Sequence, residues 1–254
     1  MSEVIRLKGV TAGYQKDIPI IKNIDLKVDR NDFLAVIGPN GGGKTTLLRV
    51  ILGLLEPWKG TVKVLGGPPQ QTRGGVGYVP QVMPEKTFPV SVTDVVLMGR
   101  LRKARSPGRF SDRDRRKAKH SLELLGVGEL TDTDLNSLSV GQKQRVFIAR
   151  ALAGEPEVLL LDEPVASVDQ ETQESFFNLL AELNDDITII MVTHDVGAVS
   201  SHVKNIACIN RLLISHGGTI SSESVSRAYG CPFDLISHGG VPHRILGRPG
   251  KERR

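Results

Sequence analysis

The chain has 254 residues, 39% of them hydrophobic, which suits one large domain or a core carrying a subdomain. The longest apolar run, Ile187 to Val192, is strand-sized, and the charged start Met1-Ser2-Glu3-Val4-Ile5-Arg6-Leu7-Lys8 predicts no signal peptide. Two cysteines, Cys208 and Cys231, are too few for a disulfide framework or a zinc knuckle, so a reducing cytosol is the expected compartment.

The first thirty residues read as antiparallel strands. Ile24, Leu26 and Val28 alternate with Asn23, Asp25 and Lys27, a period of two that buries one face. Asp29-Arg30-Asn31-Asp32 is a turn, and the apolar strand Phe33-Leu34-Ala35-Val36-Ile37 follows. Next comes Gly38-Pro39-Asn40-Gly41-Gly42-Gly43-Lys44-Thr45-Thr46, with a helical pattern from Leu47 to Leu55 behind it. Two further strands, Thr61 to Leu65 and Val76 to Val79, flank a connection rich in Gly, Pro and Gln.

From Ser91 to Ala153 the pattern is helical. Ser111-Asp112-Arg113-Asp114 has the form of a capping box, with Ala118, Leu122 and Leu125 on one face. The modest net charge of +5 is concentrated here: ten Lys/Arg lie between Arg100 and Lys119, against Asp112 and Asp114. Only Phe110 interleaves with them, so base stacking has little to work with and the cluster reads as a solvated loop and helix face. Ser139 can cap a helix carrying Val146, Ala149 and Leu152, which Gly154 and Pro156 end. Strands return at Val158 to Leu161 and Thr188 to Val192, with a Gln170 to Leu183 helix between them, as in a parallel sheet buried on both faces. The tail from Cys231 to Arg254 carries no readable element.

Two of these segments carry chemistry. Residues 38–46 fit G-x-x-x-x-G-K-[ST] with a strand in front and a helix behind, the context that makes the pattern a phosphate cradle. The glycines let successive N–H groups turn inward, the helix adds its positive end, and Lys44 brings a full charge to the phosphates. Thr45 is placed to offer its hydroxyl to Mg²⁺. The second segment is the strand Val158-Leu159-Leu160-Leu161, which ends in Asp162-Glu163. A buried strand has no structural use for adjacent acids, so Asp162 is expected in the Mg²⁺ shell and Glu163 beside the γ-phosphate, orienting or deprotonating the attacking water.

The ordered set of motifs resembles the ATP-binding cassette (ABC) ATPases over nearly the whole chain. It comprises the phosphate loop, Gln81 after Tyr78-Val79-Pro80, Leu138-Ser139-Val140-Gly141-Gln142, Asp162-Glu163-Pro164, Ser167-Val168-Asp169, and His194 within Val192-Thr193-His194-Asp195. The resemblance implies an α/β P-loop NTPase fold with an N-terminal antiparallel β-subdomain and an inserted helical subdomain near 88–155, the ATPase unit covering 1–230 and the tail 231–254. It implies that Tyr14 stacks on adenine, although an ordinary strand aromatic fits that position too. Gln81 would touch Mg²⁺ and water, and His194 the γ-phosphate and Glu163. In the family the signature helix faces the ATP of the opposite subunit, so Ser139, Gly141 and Gln142 would complete that subunit's site in a head-to-tail dimer, with Asp169 at the junction. Val140 replaces the family's usual glycine and is expected as an ordinary first-turn helical residue with its side chain turned aside.

By the same resemblance this is a transporter motor at the cytoplasmic face of the membrane, binding ATP and Mg²⁺ and docking a separate permease through the Val82 to Arg100 region. No nucleic-acid partner is expected. Segments such as Ile206-Ala207-Cys208-Ile209-Asn210-Arg211, Tyr229-Gly230-Cys231-Pro232 and Ile236-Ser237-His238-Gly239-Gly240-Val241-Pro242-His243 are similar to zinc/manganese-type importers. Such a system implies an extracytoplasmic metal-binding protein as well. An ABC motor for an iron chelate or an exported lipid is the alternative, and a soluble ABC protein fits less well. His216, His238 and His243 lack the i,i+4 spacing that puts two ligands on one helix face, so a structural tail is preferred to a metal site.

Overall fold

The computed structural model describes residues 2–81, 88–103, 109–164, 170–194, 203–218, 222–229, 233–238 and 241–246. Ser167-Val168-Asp169, the segment after His194 and part of the Val82 to Arg100 region lie outside the described residues.

Strands β1 (Glu3–Ala12), β2 (Ile21–Asp29) and β4 (Lys59–Val64) form an antiparallel sheet in the order β2-β1-β4. The alternation read from β2 is what orders it: Ile21, Ile24, Leu26 and Val28 are buried while Lys22, Asn23, Asp25 and Lys27 are exposed. A six-stranded sheet runs β5 (Val76–Val79), β6 (Val158–Asp162), β7 (Thr188–Thr193), β3 (Phe33–Ile37), β8 (Asn205–Asn210) and β9 (Leu212–Gly217). Its pairs are parallel except β8 with β9. Every residue of β3, β6 and β7 is buried, which accounts for their unbroken apolar runs.

The pleat of β3 divides the core. Phe33, Ala35 and Ile37 pack with helices α3 (Val92–Leu97), α4 (Asp112–Leu124), α5 (Val140–Ala153) and α6 (Gln170–Leu183). Leu34 and Val36 pack on the other face, with α1 (Lys44–Ile51) and the antiparallel sheet. Because β3 lies between β7 and β8, the loop leaving its C-terminal end emerges in the middle of the sheet, where open α/β sheets place their ligands.

Four local features correct or add to these expectations. The helix after the phosphate loop ends at Ile51 rather than Leu55: Gly53 takes φ +64°, and Leu54 N–H bonds back to the Arg49 carbonyl. The hairpin β8–β9 was not apparent as strands, because Asn205 to Asn210 extends only on pairing with β3. The tail holds an antiparallel hairpin, β10 (Phe233–His238) with β11 (Val241–Leu246), in which His243 stands opposite Ile236.

The basic cluster is the fourth correction, since it is not solvated throughout. Arg102, Arg109, Arg113, Arg115, Arg116 and Lys119 are exposed, but Arg100 is only 3% exposed. Its Nε donates to Asp114 Oδ1 at 2.9 Å, and its Nη1 donates to the Ala153 carbonyl and to Glu155 Oε2, both at 2.8 Å. Arg100, the last residue of the 3₁₀ turn Met98–Arg100, thereby ties the start of α4 to the end of α5. Both helices begin with capping boxes: Ser111 with Asp114, as read from the sequence, and Ser139, expected as a simple cap, with Gln142.

Candidate nucleotide site

Residues 38–43 turn sharply between β3 and α1, and the glycines are needed sterically. A Cβ on Gly38 would run into the Ile209 carbonyl, and one on Gly43, at φ +99°, would come within 2.5 Å of Ile21 Cγ2. Arg211 N–H holds the loop from behind through the Gly42 carbonyl at 2.9 Å. Asn40 and Gly41 face solvent, while Lys44 and Thr46 are buried.

Lys44 Nζ folds back onto the loop, donating to the Gly38 carbonyl at 2.8 Å and the Pro39 carbonyl at 3.1 Å, and lies 3.7 Å from Glu163 Oε1. Burial pulls its pKa down, and the charges of Glu163 and Asp162 oppose that shift.

Across the loop, β6 ends on Asp162, which is 2% exposed. Its pKa is raised chiefly by burial, against a hydrogen bond from Thr45, whose Oγ1 is 3.4 Å from Asp162 Oδ1. Glu163 then leaves the strand at φ +49°, a conformation rare outside glycine, with its N–H on the Val192 carbonyl at 2.9 Å. Its carboxylate gathers three groups from distant parts of the chain. Gln81 Nε2 donates to Oε2 at 2.9 Å, His194 Nδ1 is 3.2 Å from the same oxygen, and Lys44 faces Oε1.

These residues line one cleft of about 450 Å³ with Tyr14, Ile20, Asn40, Gly41, Gly43, Thr45 and Thr46. Tyr14 lies just past β1 and is 53% exposed, so it is not a packed strand aromatic. Its hydroxyl is 3.3 Å from Thr46 Oγ1 and accepts from Arg49 Nη1 at 2.9 Å. Arg49 carries no sequence motif, and its helical position is the only clue that would have placed it there.

Ser139, Gly141 and Gln142 do not line the cleft. Ser139 Oγ accepts from Gln142 N–H at 3.3 Å, Gln142 Oε1 accepts from Ser139 N–H at 3.0 Å, and a Cβ on Gly141 would meet open space. Val140 is the first residue of α5, with its side chain 66% exposed.

The donor set suits a hard divalent cation: hydroxyl, carboxylate and amide oxygens from Thr45, Asp162 and Gln81, with the Thr45 hydroxyl already facing the buried carboxylate. Among the described residues no cluster of three or more His, Cys, Asp or Glu could hold a metal ion by itself. A nucleotide's own oxygens would complete such a shell.

A phosphate loop on the central strand, facing paired acids on the next motif-bearing strand, defines a P-loop nucleoside triphosphatase. The family model described as ABC transporter matches residues 21–166. Among curated relatives, a probable metal transport system ATP-binding protein of Thermotoga maritima is 35% identical over 99% of both chains. The zinc uptake system ATP-binding protein ZurA of Listeria innocua is 35% identical over 85% of this chain and 86% of its own. The manganese transport system ATP-binding protein MntA of Synechocystis is 38% identical over 89% and 90%. An inward-facing metal-chelate type ABC transporter superposes with a TM-score of 0.85 at 28% identity, over 98% of both chains. A dimeric ATP-binding cassette holding ADP and Pi after hydrolysis superposes with 0.72 at 29% identity, over 85% of this chain and 99% of that one. The chain belongs to the ABC transporter family, and it is an ATPase whose hydrolysis of ATP is coupled to transport.

Proposed function

We propose that the protein powers import of a divalent metal ion, zinc or manganese, through a separate membrane permease, hydrolysing ATP at a head-to-tail interface between two copies. The observation that carries the catalytic part is the convergence of Lys44, Gln81 and His194 on Glu163 inside the phosphate cleft. Glu163 takes the proton of the attacking water, while Gln81 and His194 hold its carboxylate in line. Lys44 exchanges the loop carbonyls for phosphate oxygens, joined by the N–H groups of residues 38–46, and Tyr14 offers its exposed face to adenine. Thr45, Asp162 and Gln81 hold Mg²⁺, which when bound neutralises charge on the phosphates.

One such cleft and one signature helix per chain, set apart from each other, support completion in trans. The N-terminus of α5 at Ser139, Gly141 and Gln142 is then the anion site offered to the partner's nucleotide. The dimeric solved cassette with ADP and Pi supports the pairing of two copies. The ATPase unit spans 1–230, with its helical part near 88–155 and the tail 231–254 appended.

No helix among the described residues is long and apolar enough to cross a membrane, which favours a peripheral subunit beneath a permease. Within the Val82 to Arg100 region, Phe88 and Met98 are exposed apolar residues that contact with a permease would cover. The names of the relatives support the metal cargo, with an extracytoplasmic metal binder delivering it. The metal-chelate type transporter supports a chelated metal as the second reading.

The test is Glu163→Gln. Nucleotide binding should survive, a stable dimer should form with ATP, and turnover should fall by about 10²- to 10⁴-fold. Turnover at the parental rate would overturn the assignment. Transport of ⁶⁵Zn and ⁵⁴Mn into vesicles carrying the permease separates free ions from a chelate.

A further inference from the structure

We propose that Tyr78 is a positioning residue for Asp162, its hydroxyl holding one carboxylate oxygen so that the other is presented to Thr45 and to a divalent cation. This rests on the reading of Thr45 and Asp162 as cation ligands.

The parallel register of β5 and β6 pairs Tyr78 with Leu160, so Tyr78 and Asp162, two residues further along β6, leave the sheet on one face. There the Tyr78 hydroxyl donates to Asp162 Oδ2 at 3.4 Å, while Thr45 Oγ1 donates to Oδ1 at 3.4 Å. Each oxygen of a carboxylate that is 2% exposed thus has one hydroxyl. The Tyr78 ring packs against the apolar cluster containing Leu160, which places its hydroxyl from below.

A phenylalanine would satisfy the packing and leave Oδ2 without a donor, the costly arrangement for a buried anion. The hydroxyl therefore acts on Asp162 and not on the packing of the strand. Groups that fix a metal-binding side chain from behind typically cost about 10- to 100-fold in metal affinity when they are removed.

The experiment uses the full chain with a non-hydrolysable ATP analogue. Analogue binding is measured by calorimetry in EDTA, and Mn²⁺ binding to the analogue complex by electron paramagnetic resonance. Tyr78→Phe is expected to bind the metal-free analogue as the parent does, yet to hold Mn²⁺ about tenfold more weakly. Asp162→Asn should lose Mn²⁺ altogether. If Tyr78→Phe keeps parental Mn²⁺ affinity while Asp162→Asn loses it, the tyrosine is only a packing residue and the inference is wrong. Loss of metal-free analogue binding in Tyr78→Phe overturns it as well, since that marks a general structural role. Parental Mn²⁺ affinity in Asp162→Asn would instead remove the underlying ligand assignment.

Discussion

Two buried cations among the described residues face carboxylates, and their partners are arranged differently. Arg100 has strong partners: its guanidinium meets Asp114, Glu155 and a helix-end carbonyl at 2.8–2.9 Å. Asp114 also accepts from the Ser111 hydroxyl and N–H, and these bonds, with Arg100, draw its pKa down to about 2. Lys117, Arg100 and Lys103 together hold Glu155 well below the usual carboxylate range. Lys44 has only loop carbonyls and an acid at 3.7 Å, and burial lowers its pKa. A finished network locks helices together. An unfinished one leaves a desolvated charge ready for a ligand that brings its own negative oxygens.

If that contrast is right, the two sites should fail in opposite ways. Lys44→Ala removes a charge-assisted phosphate contact worth roughly 1.5–3 kcal/mol, so ATP affinity should fall by about 10- to 100-fold. The melting midpoint should hold or rise, because a desolvated cation has been removed; calorimetry and a thermal scan read both. Unchanged affinity would show that Lys44 does not hold phosphate.

The reverse pattern is expected of Arg100→Ala. It strands buried Asp114 and uncaps the end of α5, lowering the melting midpoint by roughly 5–10 °C while leaving nucleotide affinity in the surviving folded protein unchanged. An unaltered midpoint would class Arg100 with the surface arginines around it.

The smallest effect is on acid stability. Because the folded-state pKa of Asp114 is depressed below its unfolded value, its stabilisation is complete above the unfolded pKa of 3.8 and is lost as pH falls toward about 2. Asp114→Asn should lower stability across the neutral range, where the carboxylate's contribution is complete, and flatten the loss of stability in that acid window. A curve as steep as the parent's would assign acid unfolding to other carboxylates.

The catalytic side of this contrast was legible in the sequence to an extent the structural side was not. Phosphate loop and paired acids are read from short runs whose chemistry depends on residue type, Gln81 and His194 come with the family resemblance, and Lys44, Thr45, Gln81, Glu163 and His194 line one cleft. Arg100 belongs to a run of ten basic residues, and nothing in that run marks the one that is buried. Its burial depends on the close approach of α4 and α5, which the sequence between them does not encode locally. The β8–β9 hairpin escaped notice for a related reason. Asn205 to Asn210 has polar ends and a short apolar centre, and becomes a strand by completing the hydrogen bonds of β3.

What the residues alone determined was therefore local: the alternation of β2, the unbroken apolar strands, the serine caps of α4 and α5, and the glycine turn before Lys44. Each follows from backbone sterics or hydrogen bonding within a few residues. Only the tertiary structure decided which of many charges lose their water, that Tyr78 stands behind Asp162, and that α5 begins outside the cleft it was expected to serve in a partner. Desolvation and pairing across strands depend on chain segments far apart in sequence, and they exist only once the sheet has closed its register.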